Sequence, residues 1–427
     1  MGKLALSSII GLVTGGAVAR EQVTRDEHDG AMEAEGVSET LKPVYGQASA
    51  ENSEVVPPVD RNGKDLDVDF FRTQPDDSHV VRPVFSKMGP TTGIAEFYLN
   101  PPKSIPVVEG VRPCVKGKFI FVGDEKFYMR GITYGPFRPD EEGCEYHTPE
   151  QVEKDFAKMV QYGINAVRTY TVPPRWLLDI AQEHGLRVMV GLPWEEHIAF
   201  MESRKLMRDI ENRVRAGVRA CAGHPALLCF TVGNEIPASI VRWYGRRRIE
   251  GFLERLYNAA KAEDPQALVA YVNFPTTEYL QLPFMDFTSF NVYLETKEKL
   301  DGYLARLQNI AGDRPLVMAE IGLDSMRNGE EAQAKMLDWQ IRSTFAAGCS
   351  GVFVFSWTDE WHRGGFDIED WGFGVTDRDR NPKASLETIR KAYAEVPFPP
   401  DLNWPSISVV VCTYNGKRTI RDTLSGL

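Results

Sequence analysis

Leu227-Leu228-Cys229-Phe230-Thr231-Val232-Gly233-Asn234-Glu235 is a short apolar run that ends on a glycine, an amide and a carboxylate. Five of its first six residues are apolar or sulfur-bearing, the pattern of a strand buried on both faces in a helix-covered parallel sheet. A second such run, Pro315-Leu316-Val317-Met318-Ala319-Glu320, also stops on a carboxylate and is followed by Ile321-Gly322. If the sheet closes into a barrel, the carboxyl ends of its strands gather at one face. Two strand-terminal glutamates from different strands can then meet there.

The sequence around these runs alternates between strand-like and helix-like stretches. Helical patterns over Pro149 to Tyr162 and Pro174 to His184 precede strands Ile164 to Tyr170 and Leu186 to Leu192. Long helices over Ala199 to Cys221 and Ser239 to Ala262 precede the Glu235 strand and the run Ala267 to Val272. Strand Phe287 to Tyr293, helix Lys297 to Ala311, the Glu320 strand, helix Gly329 to Ala347 and strand Gly351 to Trp357 follow. Ala384 to Ala394 is a last helix. Upstream, Lys118 to Gly131 reads as a hairpin turned at Gly123-Asp124, a lid under the barrel whose second arm continues as the first barrel strand. With that strand the count is eight, so regular alternation predicts a (β/α)8 TIM barrel over 107–396. The connection from Pro275 to Pro283 leaves little room for a helix.

The flanks differ in character. Residues 1–106 are rich in Glu, Asp, Ser and Pro and read as a mostly disordered arm. Its later runs, Val80 to Phe85 and Ala95 to Leu99, are short enough to pack as a strap. Leu4 to Ala19 imitates a secretory signal but is diluted by glycine and serine, and it is too short for a membrane span. The proline cluster opening 397–405 reads as a linker, and Ile407 to Gly416 reads as a strand that begins a further unit over 406–427.

A net charge of −11 and a pI near 5.3 argue against nucleic acid or an anionic membrane as partner, since each calls for a basic face. Six scattered cysteines without C-x-x-C spacing or adjacent histidines speak against a zinc site and for reduced thiols, with a Cys114–Cys144 bridge left open. No metal or cofactor is expected.

Two carboxylates flanking a glycosidic bond suffice to cleave it: one protonates the departing oxygen, and the other attacks the anomeric carbon or activates water. Glu235 and Glu320 are the candidates. Asn234 can hydrogen-bond a sugar hydroxyl beside the reacting carbon, and Arg168 and Tyr293, also at strand ends, can supply cationic and phenolic donors to Glu320. Tyr134, Trp194, Trp357 and Trp361 are candidate stacking surfaces for pyranose rings. Among other carboxylates, Glu195 and Glu360 are assigned to the mouth, whereas Glu196, Glu295, Asp324 and Asp359 read as solvated or structural.

The motif Thr231 to Glu235, with Ala319-Glu320-Ile321-Gly322 later, resembles the retaining glycoside hydrolases of clan A. Trp371 to Asp377 and Pro382-Lys383 are similar to the end of the family 2 catalytic barrel. The resemblance implies Glu235 as acid/base at strand four and Glu320 as nucleophile at strand seven. It also implies Arg168, Tyr293 and Trp357 as the strand-two, strand-six and strand-eight site residues, acting on a β-linked saccharide by hydrolysis or transglycosylation. The alternative is a non-catalytic carbohydrate-binding barrel. Ser406 to Gly416, through Cys412-Thr413-Tyr414-Asn415, resembles the first strand of family 2 glycosyltransferases. That implies a barrel joined to a transferase and a cytoplasmic location, unless residues 1–19 are cleaved as a signal and the protein is secreted or periplasmic. Asp377-Arg378-Asp379 matches the transferase metal motif by letter only.

Overall fold

The computed structural model describes Val107, residues 110–399 and most of 401–425. The expected arm over 1–106, with its signal-like start and the runs at 80–85 and 95–99, lies outside the described residues. Pro113–Lys116 (β1), Phe119–Val122 (β2) and Glu125–Lys126 (β3) form a three-stranded antiparallel sheet. Met129–Thr133 (β4) follows as the first barrel strand. The expected hairpin is therefore the second of two. The first turns at Gly117, whose φ of 57° favours glycine, and the Gly123-Asp124 turn was the louder signal. Two residues, Phe127 and Tyr128, separate β3 from β4.

The chain then alternates. Helix Pro149–Gln161 (α1), strand Ala166–Thr169 (β5), helix Arg175–Glu183 (α2) and strand Arg187–Gly191 (β6) come first, followed by helix Arg204–Cys221 (α3) and strand Leu227–Asn234 (β7). Next come Ala238–Tyr244 (α4), Arg246–Glu263 (α5), Val269–Asn273 (β8), Thr288–Asn291 (β9), Lys297–Ala311 (α6) and Leu316–Ile321 (β10). Ser325–Asn328 (α7), Glu330–Ala346 (α8), Gly351–Val354 (β11), the ribbon His362–Arg363 (β12) and Phe366–Asp367 (β13), and Ala384–Glu395 (α9) complete the domain. Strands β4 to β11 close in parallel in the order β4-β5-β6-β7-β8-β9-β10-β11, and β11 pairs with β4.

The expected helix Ser239 to Ala262 is two helices, and the expected helix Gly329 to Ala347 is preceded by a short one, α7. Gly245 (φ 82°) divides α4 from α5, and Gly329 (φ 87°) divides α7 from α8, both with backbones that only glycine adopts without strain. The Pro275 to Pro283 connection holds one 3-10 turn, Pro275–Thr277, in place of a helix. The expected strand over Ile407 to Gly416 does not form among its described residues: Val409 and Val410 are exposed, with no neighbouring strand to complete their hydrogen bonds. A helix, Ile420–Ser425 (α10), follows. All six cysteines are free thiols.

Each strand faces two cores. Outward residues such as Val167, Val190, Val232, Met318 and Val354 pack under the helices. Inward ones (Met129, Ala166, Met189, Cys229, Ala270, Val317, Ala319, Phe353) meet Ile120, Val122 and Phe127 of the lid, which fills the amino end of the barrel. Space there is tight: a Cβ on Gly131 would stand 2.2 Å from the Phe353 ring. With the amino end plugged, polar groups have the other end. Phe127→Ala opens that plug and is expected to lower stability by about 3–5 kcal/mol in denaturant unfolding.

Candidate active site

Strict alternation would not bring Glu320 into the barrel. In β10, Val317 and Ala319 point inward and Leu316 and Met318 outward, so Glu320 is due to face the helices. A register shift past Met318, on both sides of the strand, adds a second inward residue in succession, and Ile321 resumes outward packing. Strand β7 has the same device: its register with β8 shifts between Thr231 and Asn234, so that Asn234, due outward like Phe230 and Val232, joins the cleft, while Glu235 stays in step with inward-facing Cys229 and Thr231. Such irregularities re-aim side chains at barrel rims. Glu235 follows in the left-handed region at φ 55°, shared among described non-glycine residues only by Arg380. That conformation costs about 1 kcal/mol or more. It is pinned by the bond from the Glu235 N–H to the Val272 carbonyl (2.9 Å) and from the Ile236 N–H to the Tyr271 hydroxyl (2.8 Å).

Arg168, 1% exposed, ties the site together. Nη1 donates to Glu320 Oε1 (2.8 Å), the Ala319 carbonyl (2.8 Å) and Asn291 Oδ1 (3.3 Å), while Nη2 donates to Asn234 Oδ1 (2.8 Å). Glu320, wholly buried, also accepts from the Tyr170 hydroxyl (2.6 Å) and the Tyr293 hydroxyl (2.7 Å). An ionised carboxylate only accepts, and all three neighbours donate. Burial, with the Glu320 charge adding to it, raises the pKa of both phenols well above its usual value, so they remain donors.

Glu235 is in the opposite situation. Oε1 accepts one bond from the Asn291 amide (2.8 Å), and Oε2 is buried without a partner. Burial, and then the Glu320 charge, push its pKa up to about 8, so the carboxyl holds a proton at neutral pH. Asn291 also donates to Asn234 Oδ1 (3.1 Å). With that oxygen committed twice, the Asn234 amide hydrogens are the part left for a ligand.

A cavity of about 380 Å³ is lined by Arg168, Tyr170 and Asn234, with Trp194, Phe355 and Trp361 among its walls. A larger one, about 450 Å³, lies by the 275–283 connection and α6 and touches neither glutamate nor any side chain bonded to them. Trp194, whose indole donates to the Val232 carbonyl (2.9 Å), and Trp361, edge-on to Tyr170, do reach the cleft.

Four of the sequence candidates do not. Tyr134 is fully buried with its hydroxyl on Asp155 (2.8 Å), and Trp357 is fully buried under the helices with its indole N–H unpartnered. Both serve the outer core. Phe355, two residues earlier, stands where a strand-eight aromatic meets the cleft. Glu195 turns out to Arg213, while its neighbour Glu196, where the chain turns, lines the cleft. Glu196 Oε1 accepts the Asn234 N–H (2.8 Å), and burial raises its pKa to about 8. Glu360 pairs with His147 (2.9 Å) and Arg380 and does not line the cleft.

Tyr170, Asn291, Phe355, Glu196, His197 and Arg363 are the site residues that sequence reasoning missed. The first two carried a signal, each lying two positions from a candidate and so on the same strand face: Tyr170 after Arg168, Asn291 before Tyr293. Arg363 is carried in on the β12–β13 ribbon, where Nη2 meets His197 Nε2 (3.1 Å). Nothing local in the sequence forecasts that.

Residues 114–398 match the family described as glycosyl hydrolases family 2, TIM barrel domain. The chain belongs to that family. It is 24% identical over 284 residues to the 1,3-beta-glucanosyltransferase gel1 of Aspergillus fumigatus, covering 60% of this chain and 61% of that protein. In structure it is similar to the GH2 beta-galacturonidase of Eisenbergiella tayi (TM-score 0.58, 20% identity, 67% of this chain, 54% of that one). It is also similar to the beta-glucuronidase of Faecalibacterium prausnitzii (TM-score 0.57, 20% identity, 67% and 52%). The chain thus spans a little over half to about three fifths of these relatives. At such identity the structural likeness speaks for the fold of a family 2 glycosidase barrel.

Arg168→Met leaves the Glu320 charge buried without its cation. Stability is expected to fall by about 3–5 kcal/mol in urea unfolding near neutral pH, with much of the loss recovered in the double variant Arg168→Met/Glu320→Gln.

Proposed function

We propose that the barrel is a retaining β-glycosidase that can also pass the glycosyl unit to a saccharide acceptor. The carrying observation is the contrast between two neighbouring carboxyls, Glu320 held by three donors and Glu235 buried with an unpartnered oxygen. Pairs of acids with environments this different divide naturally into nucleophile and proton donor.

In the first step Glu320 attacks the anomeric carbon as the glycosidic C–O bond breaks, and the Glu235 proton passes to the departing oxygen. In the second, water or a sugar hydroxyl attacks the same carbon. Glu235, now a carboxylate, takes the incoming proton, and Glu320 leaves. The Asn234 amide is placed to bond a hydroxyl next to the reacting carbon. Retention calls for carboxyl groups about 5–5.5 Å apart. The acceptor branch draws support from the likeness to the fungal relative, a 1,3-beta-glucanosyltransferase. A purely carbohydrate-binding barrel gives no role to a buried, unpartnered acid beside a nucleophile-like carboxylate. The tail's likeness to a glycosyltransferase opening further supports a barrel that edits a polymer made by a neighbouring unit.

Two results check this reading with aryl β-glycosides. Glu320→Ala is expected to abolish turnover, with azide restoring it and giving the inverted glycosyl azide; undiminished turnover removes the nucleophile assignment. Because the Glu235 proton is held below a pKa raised to about 8, kcat/KM should be sustained at neutral pH and fall as pH rises through that value. The fall should persist in Glu196→Gln, whose titration is removed. Glu235→Gln should cost roughly 10²–10⁴-fold on substrates with poor leaving groups.

A further inference from the structure

Among the described residues of the barrel domain, the exposed large hydrophobic side chains are Ile198, Trp243, Tyr279, Met326 and Phe366. Singly exposed apolar residues are ordinary on protein surfaces, but these share a position. Each lies in a segment that follows the carboxyl end of a barrel strand: β6, β7, β8, β10 and β11 respectively. The outward faces of α1, α3, α5, α6, α8 and α9 contribute none.

Two of the five are aromatic rings more than two thirds exposed, Trp243 at 72% and Phe366 at 74%. They stand on opposite sides of the mouth, since β7 and β11 are four places apart in a ring of eight. Phe366 adjoins the cleft, and Trp243 is tied to one of the connections that border it. Gly364 and Gly365 line the cleft, and Phe366 is the next residue of the ribbon. His197, which meets Arg363 of that ribbon, also lines the cleft; Ile198 follows it, and Glu202 of the same connection accepts the Trp243 indole N–H (3.4 Å). That bond takes the ring by its edge and leaves the faces open. The cleft wall is built from the connections after β11, β4, β5 and β6 and from the carboxyl end of β7, the strand whose following helix carries Trp243.

We propose that Trp243 and Phe366 are stacking platforms for the outer sugars of a β-linked chain that crosses the mouth, with several residues bound on both sides of the bond presented to Glu235 and Glu320. The inference rests on the glycosidase reading and deepens it: the substrate is an oligo- or polysaccharide, and the mode is not removal of single terminal units from short glycosides. Flat aromatic faces suit the apolar faces of pyranose rings, which a charged protein surface would otherwise leave hydrated. An open platform at each end also leaves room for an acceptor sugar after the first product departs.

The test combines activity and binding in the full chain. Gluco-oligosaccharides of increasing length in β-1,3, β-1,4 and β-1,6 linkage are compared with aryl β-glucoside. For the preferred linkage, kcat/KM should climb with chain length. Trp243→Ala and Phe366→Ala should each lower it roughly three- to tenfold for long chains, the loss growing with length. Independently, affinity electrophoresis in gels of soluble β-1,3-glucan and mixed-linkage β-glucan should show the wild-type chain retarded and both variants released. Equal kcat/KM at all lengths, a length dependence that neither substitution alters, or turnover of aryl glycosides alone overturns the proposal. If no glycoside is cleaved yet retardation depends on Trp243 and Phe366, the platforms stand and the glycosidase reading falls. If retardation is absent too, both fall.

Discussion

The site depends on a buried ion pair. Arg168 and Glu320 meet at 2.8 Å with almost no exposure to water, a geometry stabilising only when the remaining lone pairs and protons are also satisfied. Here they largely are: Tyr170 and Tyr293 complete the carboxylate, and Asn234, Asn291 and the Ala319 carbonyl receive the guanidinium. Arg168 and Asn291 then connect the ionised acid to the protonated one, since both touch Asn234 and Asn291 alone touches Glu235. One guanidinium thus stabilises charge on one glutamate while the burial that makes the pair possible removes it from the other.

That arrangement asks much of the barrel. A polar network of this kind is affordable because the amino end is closed by the lid and filled with apolar side chains, and the shell beneath the helices is equally dry. The irregularities sit where strands meet the network. Shifts in β7 and β10 turn Asn234 and Glu320 inward, and Glu235 takes a left-handed backbone that few non-glycine residues adopt. Local rules of strand geometry are broken at the two positions where chemistry calls for it.

Much of this was legible in the sequence. Two apolar runs ending in Glu235 and Glu320 forecast buried parallel strands, and the spacing of the stretches between them forecast eight. Arg168, Asn234 and Tyr293 were readable because they fall at strand ends. What the sequence did not show follows from the same physics. Alternation cannot tell Glu195 from Glu196 without the loop's path, and aromatic character alone cannot separate a cleft wall such as Phe355 from a buried filler such as Trp357 or Tyr134. Arg363 reaches the cleft on a ribbon of two-residue strands, too short for a periodic signal. The run at Ile407 has strand composition but no neighbour to pair with among the described residues, and composition says nothing about neighbours.

The central claim is that the carboxylate held by Arg168, Tyr170 and Tyr293 becomes covalently bound to sugar. The most direct measurement uses a fluorinated aryl β-glycoside that glycosylates the enzyme quickly and is released slowly, followed by mass spectrometry of the proteolysed protein. The account predicts a single glycosyl adduct on the peptide containing Glu320. An adduct on another carboxylate, or release of product with inverted anomeric configuration and no adduct, contradicts it.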